Sequence, residues 1–152
     1  MKVISKNDID QYIGVDIEPT DWFVVNQDQI NQFADCTLDH QFIHTDPVKA
    51  QGTVFKSTIA HGLLSLSMLP YFAESFGYHL EGARLALNYG FDKVRFIHPL
   101  KVNSRIRAHA KLVAVEERNP GQYVFSTEVV IEIEGETKPA LSAVWLAMQI
   151  VS

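Results

Sequence analysis

Residues 63–76 read LLSLSMLPYFAESF, and their apolar side chains cover nearly every face of a helical wheel. A helix that is apolar on all sides has to be buried on all sides. We therefore predict a buried helix over these residues. Pro70 should bend it, because proline removes one backbone hydrogen bond, and Gly77 is a suitable residue to end it.

The sequence changes to a period of two after Gly82, which is typical of strands. Two long strands are predicted over residues 105–114 and 123–133, and a third runs to the C-terminus. Turn sequences at Asn119-Pro120-Gly121 and Glu134-Gly135-Glu136 make these strands consecutive antiparallel hairpins. Shorter strands are predicted over residues 21–25, 84–89 and 93–97.

One apolar helix followed by a long antiparallel meander predicts an α+β fold in which the sheet curls around the helix. At 152 residues the chain has a common size for one domain, so we predict a single domain over residues 1–152. In so small a sheet, one edge strand and part of the helix would stay exposed. Pairing two copies edge to edge would cover them, so we expect a homodimer with a continuous sheet.

Composition narrows the class of protein. The chain is 47% hydrophobic and 20% charged, which is ordinary for a soluble globular protein. A net charge of -5 without a basic tract argues against a nucleic-acid partner. The first eight residues contain no apolar signal core, and the uncharged run over residues 57–73 is short for a span of about 20 apolar residues. We expect a cytoplasmic protein without a membrane partner.

Two short motifs carry the chemistry. Asp39-His40-Gln41-Phe42-Ile43-His44 sets a carboxylate and an imidazole five residues apart in a polar segment that is predicted to be non-helical. Ala60-His61-Gly62 places a glycine where the apolar helix begins, and N–H groups there lack intrahelical partners. An acid/base pair and an oxyanion donor suffice to add or remove water beside a thioester carbonyl. Taken alone, Asp39 could be a turn cap and His44 a core imidazole bonded to a carbonyl.

These motifs, together with LNYGFDKVRF over residues 87–96, resemble the MaoC-like family of (R)-specific enoyl-CoA hydratases, and most closely its NodN-like subgroup. The resemblance implies a hot-dog fold, with an antiparallel sheet wrapped around a long central helix. It implies that Asp39 and His44 are the catalytic pair and that the N–H of Gly62 forms the oxyanion hole. Many members read GDxNPLH where this chain reads LDHQFIH, and a family serine falls near Pro70, where Ser65 or Ser67 could replace it.

The resemblance further implies reversible hydration of trans-2-enoyl thioesters to (R)-3-hydroxyacyl thioesters, carried by CoA or an acyl-carrier protein. Water must be deprotonated for attack at C3 and a proton delivered at C2, and neither step needs a metal or redox cofactor. Two alternatives stay open. A thioesterase of the same fold would direct water at the carbonyl carbon, and the missing Asn-Pro suggests a non-catalytic acyl-thioester binding module.

A metal site is the other interpretation of the first motif. His40 and His44 are spaced i,i+4 beside Asp39 and Asp46. The chain has no HExxH motif and this segment is predicted to be non-helical, so we expect no metal.

Three further groups could take part in chemistry or binding. Cys36 is the only cysteine, and nothing beside it supplies a base, so a packed thiol is expected. Lys93, Arg95 and Lys101 could meet CoA phosphates, although strand charges more often face solvent. His61 is expected to shape the turn before the helix.

Overall fold

The computed structural model describes residues 1–151, which form a curled five-stranded sheet, a helical segment against it and a small two-stranded sheet. The strands are β1 (Lys2–Ile4), β2 (Phe23–Val24), β3 (Tyr78–Leu80), β4 (Ala83–Phe96), β5 (Arg105–Asn119), β6 (Gln122–Ile133) and β7 (Leu141–Val151). The helices are α1 (Gln27–Thr37), α2 (Phe42–Thr45), α3 (Pro47–Ala50), α4 (Gly62–Ser67) and α5 (Leu69–Phe76), after a 3-10 helix at Lys6–Gln11. Within the described residues, no helix has the length and apolar character that crossing a membrane requires.

The large sheet has the order β2-β5-β6-β7-β4, and all its neighbouring strands are antiparallel. The predicted meander of three long strands is confirmed as β5, β6 and β7. Ile106, Ala108, Ala110 and Leu112 are buried along β5, as their alternation with polar residues predicts. β2 is shorter than the predicted strand, since only two residues pair with β5.

The fourth strand differs from its prediction. Two short strands were expected over residues 84–89 and 93–97, but β4 is continuous. Pairing with β7 continues at Gly90 and Phe91, while register shifts lie between Asn88 and Gly90 and between Asp92 and Arg95. Such irregularities bend a strand without ending it. The alternation of apolar residues is interrupted here although the pairing with β7 continues, so the sequence suggested two strands where the structure has one.

The apolar helix is interrupted at Met68, close to Pro70, where the sequence predicts a bend. α4 ends at Ser67, and α5 begins at Leu69 with Pro70 in its first turn. Proline is tolerated there because N–H groups in the first turn of a helix have no intrahelical partner. The prediction of burial on all sides is wrong for the single chain. Leu63 and Tyr71 are 59% and 56% exposed, because the sheet covers only one side of the helical segment.

The main core lies between that covered side and the inner face of the sheet. Its helical members are Leu64, Met68, Leu69, Phe72, Ala73 and Phe76, and its strand members include Ile106, Ala108, Ala110, Val129, Ile131, Ile133, Leu141, Ala143 and Trp145. Burying each large apolar side chain contributes about 1.5–3 kcal/mol. This packing fixes the position of α4, whose first residue is Gly62.

Candidate active site

His44 lies on α2, a single helical turn inside the segment predicted to be non-helical. The turn closes with a 3.0 Å hydrogen bond from the N–H of Asp46 to the carbonyl oxygen of Phe42. Asp46 then caps α3, since its Oδ1 accepts from the N–H groups of Val48 and Lys49 at 3.1 and 3.0 Å. The bond from Lys49 is the main reason why the pKa of Asp46 lies below its usual value. The prediction of an irregular segment was therefore wrong for this turn.

The imidazole of His44 is only 7% exposed, and its Nδ1 lies 2.7 Å from the carbonyl oxygen of Ile59. A carbonyl oxygen can only accept, so Nδ1 carries the proton and Nε2 has a free lone pair in the neutral ring. Burial lowers the pKa of His44 below its usual value, and this outweighs the opposing effect of the bond to Ile59. The neutral ring, with Nε2 as a base, is therefore favoured.

Asp39 lies just after α1, where Leu38 adopts the left-handed conformation with a φ of 63°. Its side chain is 55% exposed. One carboxylate oxygen of Asp39 and one ring nitrogen of His44 lie within 4.8 Å of each other. One water molecule can hydrogen-bond both, because each such bond spans about 2.8 Å. The fold thus brings the two residues of the first motif together.

Gly62 begins α4 and lines a cavity of about 260 Å³ together with His44, Ser65 and Phe96. No side chain caps the first turn of α4; the N–H of Leu64 donates to the carbonyl oxygen of His61 at 3.0 Å, while the N–H of Gly62 has no partner among the described residues. Gly62 does not adopt a left-handed φ. A Cβ at this position would instead lie 2.8 Å from Cδ1 of Phe96, so close packing against that ring is what requires glycine.

His61 precedes α4, where the sequence placed it, and it also contacts both residues of the first motif, which the sequence did not predict. It is 4% exposed, and its Nε2 lies 3.0 Å from the carbonyl oxygen of Asp39. Its ring is stacked on His44 with centroids 3.8 Å apart, and Phe33 lies 5.0 Å from it. Its place directly before Gly62 was the available signal.

Three side chains could hold a metal ion, and they differ from the set that the spacing of His40 and His44 suggested. Ligand atoms of Asp39, His44 and His61 lie within 4.8 Å of one another. His40 is not among them: it is exposed, and its Nδ1 lies 3.8 Å from a carboxylate oxygen of Asp35.

The remaining candidate residues differ in their exposure. Ser65 is 3% exposed and lines the cavity beside Gly62, which makes it the better placed of the two candidate serines. Cys36 is exposed, so the prediction of a packed thiol was wrong. Lys93, Arg95 and Lys101 are all exposed.

Residues 8–133 match the family described as the MaoC like domain. The chain belongs to the MaoC-like dehydratase family. This MaoC-like protein is 41% identical over 139 residues to the 3-hydroxyacyl-thioester dehydratase Z of Mycobacterium tuberculosis, covering 91% of each chain. It is 40% identical over 149 residues to the nodulation protein N of Rhizobium leguminosarum, covering 97% of this chain and 92% of that one. The predicted family and its NodN-like subgroup are confirmed, and the chain is a hydro-lyase.

Solved structures confirm the hot-dog fold of this MaoC-like protein. An Archaeoglobus protein described as a monoamine oxidase regulatory protein superposes with a TM-score of 0.77 at 25% identity, covering 92% of this chain and 91% of that one. An (R)-hydratase from Pseudomonas aeruginosa superposes with a TM-score of 0.69 at 20% identity, covering 92% of this chain and 83% of that one.

Proposed function

We propose that this MaoC-like protein, as a single hot-dog domain, reversibly hydrates trans-2-enoyl thioesters to (R)-3-hydroxyacyl thioesters. The observation that carries the proposal is the separation of at most 4.8 Å between a carboxylate oxygen of Asp39 and a ring nitrogen of His44, beside a cavity that His44 and Gly62 line. A pair this close can share one water molecule between a carboxylate and an unprotonated imidazole nitrogen. Family membership supports the same chemistry.

In the proposed reaction, His44 is the base and Asp39 orients the water. Nε2 of His44 takes a proton from water while the water oxygen forms a bond to C3 of the enoyl group. The electrons of the double bond move to the thioester oxygen, giving an enolate. Nε2–H then delivers its proton to C2, the enolate collapses, and one water molecule has been added.

The N–H of Gly62 is the proposed donor to the enolate oxygen. It lies at the positive end of α4, and a donor of this kind is worth about 3–4 kcal/mol in a transition state. Ser65 lines the same cavity, so its hydroxyl is available to the bound thioester.

A second cavity suits the acyl chain. It has a volume of about 220 Å³ and its mainly apolar lining includes Ala73, Leu112, Phe125 and Trp145. Ala73 follows Gly62 by 11 residues, which would span about 16 Å along an uninterrupted helix. A long acyl chain can extend that far from the reacting carbons and a four-carbon chain cannot.

We further propose that the protein acts as a homodimer paired through β4. This strand is at the edge of the sheet and is hydrogen-bonded on one side only, to β7. Leu85, Leu87 and Tyr89 on β4 are about half exposed, at 54%, 48% and 54%. A long edge with apolar side chains favours pairing with a second copy, which also accounts for the uncovered side of the helical segment.

The test is an assay with crotonyl-CoA and trans-2-dodecenoyl-CoA that follows enoyl absorbance and free thiol together. We expect absorbance to fall without thiol release. Asp39→Asn and His44→Gln should each lower kcat by about 10²- to 10⁴-fold, and the double variant should be little worse than either. Asp35→Asn and His40→Gln are matched controls on exposed neighbours, and they should retain activity.

Other outcomes would contradict the proposal. Thiol release would indicate a thioesterase, and thioester binding without either signal would indicate a binding module. Near-normal hydration by Asp39→Asn or His44→Gln would remove that residue from the mechanism.

A further inference from the structure

We propose that His61 is a positioning residue, which holds Asp39 through a hydrogen bond and His44 through ring stacking, in the geometry that shares one water molecule. The inference rests on the proposed hydration. It assigns a task to a buried imidazole that the proposed reaction does not otherwise use.

The hydrogen bond fixes the tautomer of His61. Nε2 lies 3.0 Å from the carbonyl oxygen of Asp39 and 3.9 Å from its Oδ2. Because the carbonyl oxygen can only accept, Nε2 carries the proton in the neutral ring. The main chain of Asp39 is therefore tethered to a buried group although its own side chain is half exposed.

Stacking fixes the second member of the pair. The rings of His61 and His44 are inclined by 25° with their centroids 3.8 Å apart, while Phe33 lies at a tilt of 49° to His61. His61 thus contacts the candidate base and the candidate carboxylate residue at once. Movement of its ring would displace both.

Both tethers arise from one short segment. The carbonyl oxygen of Ile59 accepts from His44, and the N–H of Ile59 donates to Ile43 at 3.0 Å. The N–H of Ala60 donates to Leu100 at 2.7 Å, which anchors the segment to the other wall of the cavity. Residues 59–61 therefore set the positions of Asp39 and His44 and lead directly into Gly62.

The other ring nitrogen of His61 shows that the imidazole is not there for packing alone. Nδ1 is buried and has no hydrogen-bond partner among the described residues. An unpaired buried polar atom is unfavourable, and a phenylalanine would make the same stacking contacts without it. The donor at Nε2 is the property that the imidazole supplies and a phenylalanine lacks.

Two variants separate the donor from the ring. His61→Phe keeps an aromatic ring and loses the donor, whereas His61→Gln places an amide N–H near the position of Nε2. We expect His61→Phe to lower kcat by about 10- to 100-fold with little change in KM, as expected for misplaced catalytic groups. His61→Gln should recover most of that loss. In an Asp39→Asn background, His61→Phe should cost little more, because His61 acts through Asp39.

Heteronuclear NMR supplies a test that does not depend on activity. At mildly alkaline pH we expect the Nε2–H tautomer for His61 and the Nδ1–H tautomer for His44. The backbone amide of Asp39 should become mobile in His61→Phe and stay rigid in His61→Gln. If His61→Phe does not fold, His61→Asn replaces it, because its shorter amide cannot reach the carbonyl of Asp39.

The proposal is overturned if the variant without the donor keeps full kcat, if His61→Gln is equally impaired, or if His61 is the Nδ1–H tautomer. A wild-type protein that hydrates no enoyl thioester would instead refute the proposed function. In that case the tautomers and the mobility of Asp39 still decide whether His61 positions the pair.

Discussion

His44 shows at the scale of one residue how burial creates a base. Its Nδ1 is committed to Ile59, so the reactive nitrogen is Nε2. Desolvation is the largest of the contributions that lower its pKa, so the charged form is disfavoured in the folded protein.

The first prediction concerns pH. Because the pKa of His44 is lowered, the base stays unprotonated to a lower pH than an ordinary imidazole, whose pKa is about 6.5. We expect kcat/KM to keep its plateau below about pH 6.5 and to fall only when His44 gains its proton. A pH–rate profile measures this, with circular dichroism as a control for folding at each pH. An acid limb centred at or above the ordinary value would contradict it.

The same shift has a consequence for stability. The unfolded chain protonates His44 at about pH 6.5, whereas the folded chain does so only at a lower pH. Between these two pH values the unfolded state binds more protons, so stability falls with pH. The contribution of the neutral His44 to the free energy of unfolding is thus fully present above the pKa of the unfolded chain. It is lost as pH falls through the lower pKa of the folded chain.

The second prediction concerns Gly62 and Phe96. A Cβ on Gly62 would meet the ring of Phe96 at 2.8 Å, so Gly62→Ala should cost about 1–3 kcal/mol of stability as well as activity. Gly62→Val should cost more of both, so its effect is not confined to activity. Adding Phe96→Ala should restore stability, because it removes the obstructing ring. Gly52→Ala, where the nearest atom is 3.4 Å away, is the matched control.

Chemical denaturation and kcat, measured on the same variants, check this prediction. If the N–H of Gly62 is the oxyanion donor, activity returns together with stability in the Gly62→Ala, Phe96→Ala double variant. A double variant that is stable but inactive would indicate that displaced geometry remains, and an unaffected Gly62→Ala variant would contradict the close packing.

The helical segment is the element that lines both cavities. Gly62 at the start of α4 lines the cavity beside His44, and Ala73 on α5 lines the apolar cavity. The helical segment is interrupted at Met68, and α5 begins at Leu69 with Pro70 in its first turn.

The third prediction is made at this scale. Ala73→Leu fills part of the apolar cavity, so kcat/KM for trans-2-dodecenoyl-CoA should fall about 10-fold or more, since one misfitting group costs about 1–3 kcal/mol. Activity with crotonyl-CoA should stay near that of the wild type, which also controls for folding. Equal losses with both substrates would show that this cavity does not take the acyl chain.

At the scale of the whole molecule, the sheet has two edges of different character. β4 is 14 residues long and exposes the apolar side chains of Leu85, Leu87 and Tyr89, whereas β2 is only two residues long. A long unprotected edge is a site of association, so we expect two copies to pair through β4 and not through β2.

The fourth prediction follows from that difference. Light scattering should show a dimer at micromolar concentration. Leu85→Lys combined with Tyr89→Lys should shift it toward monomer, because charges would then meet across the paired strands. Val24→Lys, on the opposite edge of the sheet, should leave the dimer intact. A wild-type monomer, or equal effects of substitutions at both edges, would refute pairing through β4.

Local patterns in the sequence were enough to identify the apolar helical segment, the meander of β5, β6 and β7, and the motifs of the candidate site. The helical character of residues 63–76, an irregularity close to Pro70 and the alternation along β5 and β6 were predictable, because each depends on local sequence. The spacing of Asp39 and His44 and the position of Gly62 were also visible, and the family resemblance gave them a hypothesis.

The tertiary structure decided the features that depend on residues far apart in the chain. The stacking of His61 on His44 and its bond to Asp39 join segments 17 to 22 residues apart, which no periodicity encodes. The glycine at Gly62 is required by Phe96, which is 34 residues away. β4 is one strand because β7 continues to pair with it across its irregularities. Sequence determined which groups are present and their local conformation, and packing determined which of them meet, because distances below 4 Å between distant segments arise only when the sheet closes on the helices.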